Sequence, residues 1–179
     1  MKRIVLVILG VMAVSTSAQA QAPSEIDTAL LAAPANLREG ATVVKWKADY
    51  TYDTLKQGTN RLVCFDKSGF PGQPAFMIEC TSIGNLERVA QNLRFEAMGD
   101  KKQAMLDAAE KDGTRAKPEY GSVWYHVMGP DRAKARNHMT IAVPGATTAS
   151  TGLPDNPKMG GVWIMNAGTT TAHLMTPGE

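Results

Sequence analysis

The chain has 179 residues, with 19 lysines and arginines against 17 aspartates and glutamates. Two of the basic residues, Lys2 and Arg3, belong to an N-terminal segment that we expect to be removed, and without them the formal charges balance. A balanced chain lacks the clustered basic excess that a nucleic-acid-binding protein carries, so we expect no nucleic-acid partner. The length predicts a single domain with a sizeable core.

The first residues have the layout of a secretory signal peptide. Lys2 and Arg3 precede an apolar run at residues 4–14, and the small residues that end at Ala20 offer a cleavage site. The apolar run is shorter than the roughly 20 residues that span a bilayer. We therefore predict a signal peptide at residues 1–20 and a mature domain at residues 21–179. The expected location is periplasmic or secreted, with no membrane anchor after cleavage.

The first elements of the predicted domain are a short helix and a strand. Ser24 is typical of a helix N-cap, and the apolar residues after it predict one short helix that ends at Pro34. Alternating apolar and polar residues then predict a strand at residues 42–48, which either ends there or continues through Tyr50 and Tyr52.

The two cysteines, Cys64 and Cys80, lie in short β-type runs at residues 61–66 and 75–80. Export places both thiols in an oxidising compartment, where thiols pair. The turn-rich residues 68–74 let the two runs fold back on each other. We predict a structural disulfide between Cys64 and Cys80 that stabilises the fold by about 3 kcal/mol. A redox-active pair would usually have C-x-x-C spacing.

The middle of the chain changes to a helical period. Apolar residues recur at helical spacing from Leu86 to Ala97 and predict an amphipathic helix that Gly99 ends. Asp100 is suited to cap a second helix at residues 101–112. We interpret the charged residues of both helices as a solvated face.

The C-terminal part returns to the two-residue period of strands. Its last two strands are separated by residues 167–170, a connection short enough for a hairpin. The simplest antiparallel register places Ile164 opposite His173. It also places Val162 opposite Met175. The predicted strands of this part are residues 122–128, 137–143, 161–166 and 171–176.

The order of these elements predicts the fold class. Strands interrupted by one helical block, without regular alternation of strand and helix, favour an α+β fold over a doubly wound parallel sheet. The prediction is a single α+β domain with a mainly antiparallel sheet and a helical block in the middle of the chain.

Each of the three histidines has a methionine next to it or one residue beyond it. Residues two apart in a strand project from the same face, so His126 shares a face with Met128. Imidazole and thioether ligands together suit copper, because soft sulfur selects Cu(I). The alternative is that the methionines fill the core and the histidines are hydrogen-bonded. The candidate copper ligands are His126, Met128, His138, Met139, His173 and Met175.

Other interpretations remain open beside the copper site. Trp124 and Trp163 are candidates to line a pocket for a small ligand, although large rings are also usual in a core. No local hydrolase motif occurs, but a triad is joined by geometry and needs none. A hydrolase-like enzyme would use His126 or His138 as its base, with Asp131 and a Ser or Thr hydroxyl from the long loop at residues 144–160.

The first choice among these interpretations is a periplasmic binding or interaction domain. Its expected partner is a small ligand of unknown identity or an envelope protein, with copper as the candidate cofactor. Whether the chain is an enzyme stays uncertain, with the hydrolase as the runner-up. The third interpretation is a structural envelope protein that has no small-molecule site.

The C-terminal third contains Asn137-His138-Met139, Pro144, Trp163-Ile164-Met165, Gly168-Thr169, Ala172-His173-Leu174-Met175 and Pro177. With these residues it resembles an uncharacterised family of short secreted proteins of Gram-negative bacteria. The relatives favour a proline and an aromatic residue where this chain has Thr170 and Thr171. The resemblance brings no activity with it, and it implies that His138 and His173 belong to one site.

Overall fold

One sheet of eight strands runs through the part of the chain that the structure describes, residues 24–176 of a computed structural model. The predicted signal peptide at residues 1–20 lies outside this part. The strands are β1 (Thr42–Trp46), β2 (Tyr52–Lys56), β3 (Leu62–Asp66), β4 (Phe76–Ser82), β5 (Val123–Gly129), β6 (Arg136–Ala142), β7 (Trp163–Met165) and β8 (His173–Met175). Their order is β2-β1-β3-β4-β5-β6-β8-β7, and β1 with β3 is the one parallel pair among them. The predicted α+β class with a mainly antiparallel sheet is confirmed.

The helical block lies between β4 and β5, as predicted. Four α-helices occur in residues 24–176, and two of them, with eleven residues each, form this block. The helices are α1 (Glu25–Ala29), α2 (Leu86–Glu96), α3 (Lys102–Asp112) and α4 (Thr148–Thr151). No helix in residues 24–176 combines the length and the apolarity needed to span a bilayer.

Each face of the sheet has its own core layer. On one face, α1 and the turn that follows it pack against β3 and β4, with Cys64, Ile78 and Cys80 fully buried. On the other face, Val89 and Leu93 of α2 pack against the inner strands. Because successive strand residues point to opposite faces, the odd-numbered residues of β4 face α2. This α2 face carries the functional residues described below.

The predicted first strand is confirmed as β1, but its continuation through Tyr50 and Tyr52 was wrong. β1 ends at Trp46, and the chain turns and returns as β2, which pairs antiparallel with β1. Tyr50 adopts a positive φ of 67°, and the carboxylate of Asp49 accepts a hydrogen bond from the backbone N–H of Thr51. β2 is exposed along nearly its whole length, so it lacks the apolar alternation that would have indicated a separate strand.

The predicted register of the last hairpin was wrong by one residue. Ile164 lies opposite Leu174, and His173 lies opposite Met165. Ile164 is fully buried and packs with Leu174 in a small third core cluster, which fixes the register, since a slip by one residue would turn Ile164 to the other face. The proposed pair of Val162 with Met175 fails for the same reason, because Trp163 occupies that place.

Candidate functional site

A cleft of about 430 Å³ lies between the α2 face of the sheet and helix α2. Strands β4, β5, β6, β7 and β8 form its floor, and α2 contributes Arg88, Asn92 and Glu96. Its volume falls in the range of small-ligand sites. The chemically distinctive lining residues are three histidines and four methionines, namely His126, His138, His173, Met77, Met128, Met165 and Met175.

Strand register explains why these side chains share one face. Glu79, His126 and His138 are direct partners across β4, β5 and β6 and form one row. Met77 and Met128 are partners in the adjacent row. Side chains of partnered residues project from the same side of an antiparallel sheet, so each row aims into the cleft as a unit.

The second part of the cleft is built by the short strands at the end of the sheet. His173 lies opposite Ala142 on one side and Met165 on the other. Met175, two residues further along β8, projects from the same face as His173. The imidazole of His173 therefore also has thioethers as its neighbours.

Five of the six residues predicted as copper ligands line the cleft, together with Trp124. Met139 does not, because it lies opposite Tyr125 and faces the other side of the sheet. Trp163 is the partner of Met175 but is not among the lining residues of the cleft. Adjacent residues of a regular strand point to opposite faces of the sheet. Met139 therefore cannot share the cleft face with His138.

Two lining methionines were missed by the sequence analysis. Met165 was assigned to the wrong face because the predicted register placed Ile164, rather than Met165, opposite His173. Met77 has no histidine near it in sequence, and only the pairing of β4 with β5 brings it beside Met128. The available signal for Met77 was its period-two spacing from Glu79, which places both side chains on the same face of β4.

A buried ion pair lies beneath the histidines. Nζ of Lys67 lies 3.0 Å from Oε2 of Glu79, and both side chains are nearly inaccessible, at 4% and 3% exposure. Burial alone would raise the pKa of Glu79, but the charge of Lys67 and the neighbouring His126 outweigh it and lower the pKa to about 2. Glu79 is therefore a carboxylate at any physiological pH.

His126 is oriented by this carboxylate. Its Nδ1 lies 3.2 Å from Oε2 of Glu79, a close polar contact that falls outside hydrogen-bond geometry. Nδ1 of His126 and Oε1 of Glu79 are both buried without a hydrogen-bond partner among residues 24–176. Burying a polar atom without a hydrogen-bond partner costs free energy. Such atoms are typical of functional sites, where proteins depart from the rules of core packing.

His173 is oriented by the backbone. Its Nδ1 lies 2.7 Å from the carbonyl oxygen of Thr171. A carbonyl only accepts, so Nδ1 must carry the hydrogen, and the unprotonated Nε2 is left for another partner. Burial lowers the pKa of His173, the hydrogen bond to the carbonyl of Thr171 opposes this change, and the nearby His126 and Arg88 lower the pKa further.

His126 and His138 are stacked, with ring centroids 5.8 Å apart and planes inclined by 27°. Burial lowers the pKa of His138, and electrostatic repulsion from the stacked His126 and, to a smaller extent, from His173 lowers it further. The imidazole of His138 is therefore neutral at neutral pH, which is the form that binds metals.

Arg88 ties α2 to the last hairpin at the edge of the cleft. Its guanidinium donates hydrogen bonds to the carbonyl of Ala116 at 2.6 Å and to the hydroxyl of Thr171 at 2.7 Å. Burial and the nearby Arg115 lower the pKa of Arg88 to about 9. The residue fixes the segment that carries His173.

Two kinds of site are not formed by the described residues. Within residues 24–176, no group of three or more His, Cys, Asp or Glu side chains is arranged to hold a metal ion. In the same part of the chain, no imidazole is hydrogen-bonded to a hydroxyl or a thiol, which the hydrolase interpretation requires. Asp131, the acid of that interpretation, instead caps a turn by accepting from the N–H of Lys134.

Fold and cleft together define an α+β protein with an imidazole and thioether cleft on one face of its sheet. No family model, curated protein or solved structure matches the chain.

Proposed function

We propose that this chain is an exported binding protein whose cleft holds copper as Cu(I). The observation that carries the proposal is the gathering of three imidazoles and four thioethers around one cleft. Thioether sulfur is a soft ligand that selects Cu(I), while hard cations prefer oxygen. Export supports the proposal because a protein outside the cytoplasm meets copper, and export itself rests on the signal-like layout of residues 1–20.

The ligands that we assign first are the group formed by His126, His138, Met77 and Met128, called here the His126 centre. His126 and His138 are cross-strand partners with stacked rings 5.8 Å apart. Met128 lies two residues from His126 on the same face and is paired with Met77. The group offers two nitrogen and two sulfur ligands, which is enough for a Cu(I) ion.

The surroundings of the His126 centre suit a metal ligand. Histidines that bind metals usually present their second ring nitrogen to a carboxylate or a carbonyl, which fixes the ring orientation. Glu79 lies at that position for His126. The absence of a preformed group of three His, Cys, Asp or Glu ligands within residues 24–176 favours a site that includes thioethers over a zinc site.

Competition for Cu(I) tests the proposal. Purified protein, titrated anaerobically with ascorbate-reduced copper and a chromogenic Cu(I) chelator, is expected to withdraw copper from the chelator. Met128→Leu keeps the apolar volume but removes one thioether. We expect this variant to bind Cu(I) at least about 10-fold more weakly, because losing even a residue that only hydrogen-bonds a metal ligand has an effect of that size.

Met139→Leu is the matched control, because Met139 belongs to the neighbouring strand but faces the opposite side of the sheet. It should bind copper as the unaltered protein does. The proposal is wrong if the unaltered protein leaves the chelator fully loaded, or if the two leucine variants lose affinity equally.

A further inference from the structure

The histidines of the cleft fall into two groups rather than one. In the register of β6 with β8, Met175 lies opposite Thr140 and His173 lies opposite Ala142. His138 is four residues from Ala142 along β6, which is about 13 Å at the rise of a strand. His173 thus occupies a different row of the sheet from the stacked pair of His126 and His138.

This separation matters because a single metal ion cannot contact both His173 and the stacked pair of His126 and His138. Metal–ligand bonds are about 2 Å long, whereas the strand positions of His138 and Ala142, the partner of His173, lie about 13 Å apart. Consistent with this, the three imidazoles and Glu79 do not form a group able to hold one ion within residues 24–176.

His173 nevertheless has thioethers of its own. Met165 is its direct cross-strand partner on β7, and Met175 is its same-face neighbour on β8. Such partners have Cβ atoms about 5 Å apart. The flexible methionine side chains can therefore bring their sulfurs to an ion at the imidazole.

The orientation of His173 favours a ligand role. Its Nδ1–H donates to the carbonyl of Thr171 at 2.7 Å, which leaves Nε2 as the free nitrogen. Thr171 is itself held by Arg88, whose guanidinium donates to the hydroxyl at 2.7 Å. Met165 is 40% exposed, so an ion from solution has access to this end of the cleft.

We infer that the cleft contains a second Cu(I) centre, formed by His173, Met165 and Met175 and called here the His173 centre. The inference rests on the proposed function, since it assigns a second ion to the same cleft. One imidazole and two thioethers make this centre richer in sulfur than the His126 centre.

Copper stoichiometry tests the inference. Protein loaded with excess ascorbate-reduced copper and then desalted should carry two copper atoms per chain by mass spectrometry. His173→Ala should carry one. Met165→Leu replaces an exposed thioether in a conservative way that leaves the core intact, and it should lower the affinity for the second copper atom by at least about 10-fold while leaving the first unchanged.

Met159→Leu is the control for Met165→Leu, because Met159 is also exposed, at 68%, and does not line the cleft. The second centre would be overturned if the unaltered protein carried one copper atom, His173→Ala still carried it, and Met128→Leu carried less. That result would leave the proposed function in place. No copper in the unaltered protein would overturn both. Equal losses in Met159→Leu and Met165→Leu would also contradict the His173 centre.

Discussion

Replacement of Glu79 by glutamine is expected to lower the free energy of unfolding by about 3–5 kcal/mol, which is the usual cost of removing one partner from a buried ion pair. The cost arises because the charge of Lys67 stays buried without its counterion, at 4% exposure of its side chain. Urea denaturation of the metal-free protein measures the effect. Replacing both partners at once, as Lys67→Met with Glu79→Leu, should recover much of the loss, because no charge then remains unpaired.

The same pair predicts how stability depends on pH. Folding lowers the pKa of Glu79 from 4.5 to about 2. The unfolded chain therefore binds more protons than the folded one between these values, so the contribution of Glu79 is present above pH 4.5 and is lost as the pH falls towards 2. Glu79→Gln should lack this component of the pH dependence.

Two results would contradict this account of the ion pair. One is a decrease in the free energy of unfolding of less than about 1 kcal/mol in Glu79→Gln, and the other is no recovery in the double variant.

Removal of the disulfide is expected to cost about 3 kcal/mol, because Cys64 and Cys80 close a loop with a sequence separation of 16. The two residues are direct partners on β3 and β4 and are fully buried in the core layer below α1. In a domain of this size, about 3 kcal/mol corresponds to a decrease of roughly 6–12 °C in Tm. Scanning calorimetry of Cys64→Ala with Cys80→Ala measures it.

A thiol assay provides the control for the disulfide. The unaltered protein should show no free thiol under denaturing, non-reducing conditions, since both cysteines of the chain are paired. Reduction before unfolding should lower Tm by about as much as the double substitution does. Two titratable thiols in the unaltered protein, or a double variant of equal Tm, would show that the pair contributes no stability.

Local patterns predicted those features that depend on a single strand or helix. The two-residue period placed His126 with Met128 and His173 with Met175 on shared faces, and the structure confirms both placements on the cleft side. The disulfide was also confirmed, because two short strands around a turn leave two cysteines few alternatives.

Features that depend on how strands align with each other could not be predicted in the same way. The register of the last hairpin is fixed by the burial of Ile164 among residues from distant segments, and the error there hid Met165. The pairing of Met77 with Met128 and of Glu79 with His126 joins segments about 50 residues apart. The burial of Lys67 also depends on this long-range packing, since lysine is usually exposed.

X-ray absorption spectroscopy at the copper edge of the Cu(I)-loaded protein tests the central claim most directly. Both cysteines are held in the disulfide, so any sulfur bound to copper must come from methionine. We predict sulfur and nitrogen scatterers together, with less sulfur in Met128→Leu and an unchanged spectrum in Met139→Leu. A first shell of nitrogen and oxygen alone, with no sulfur, would contradict the assignment of this cleft as a Cu(I) site.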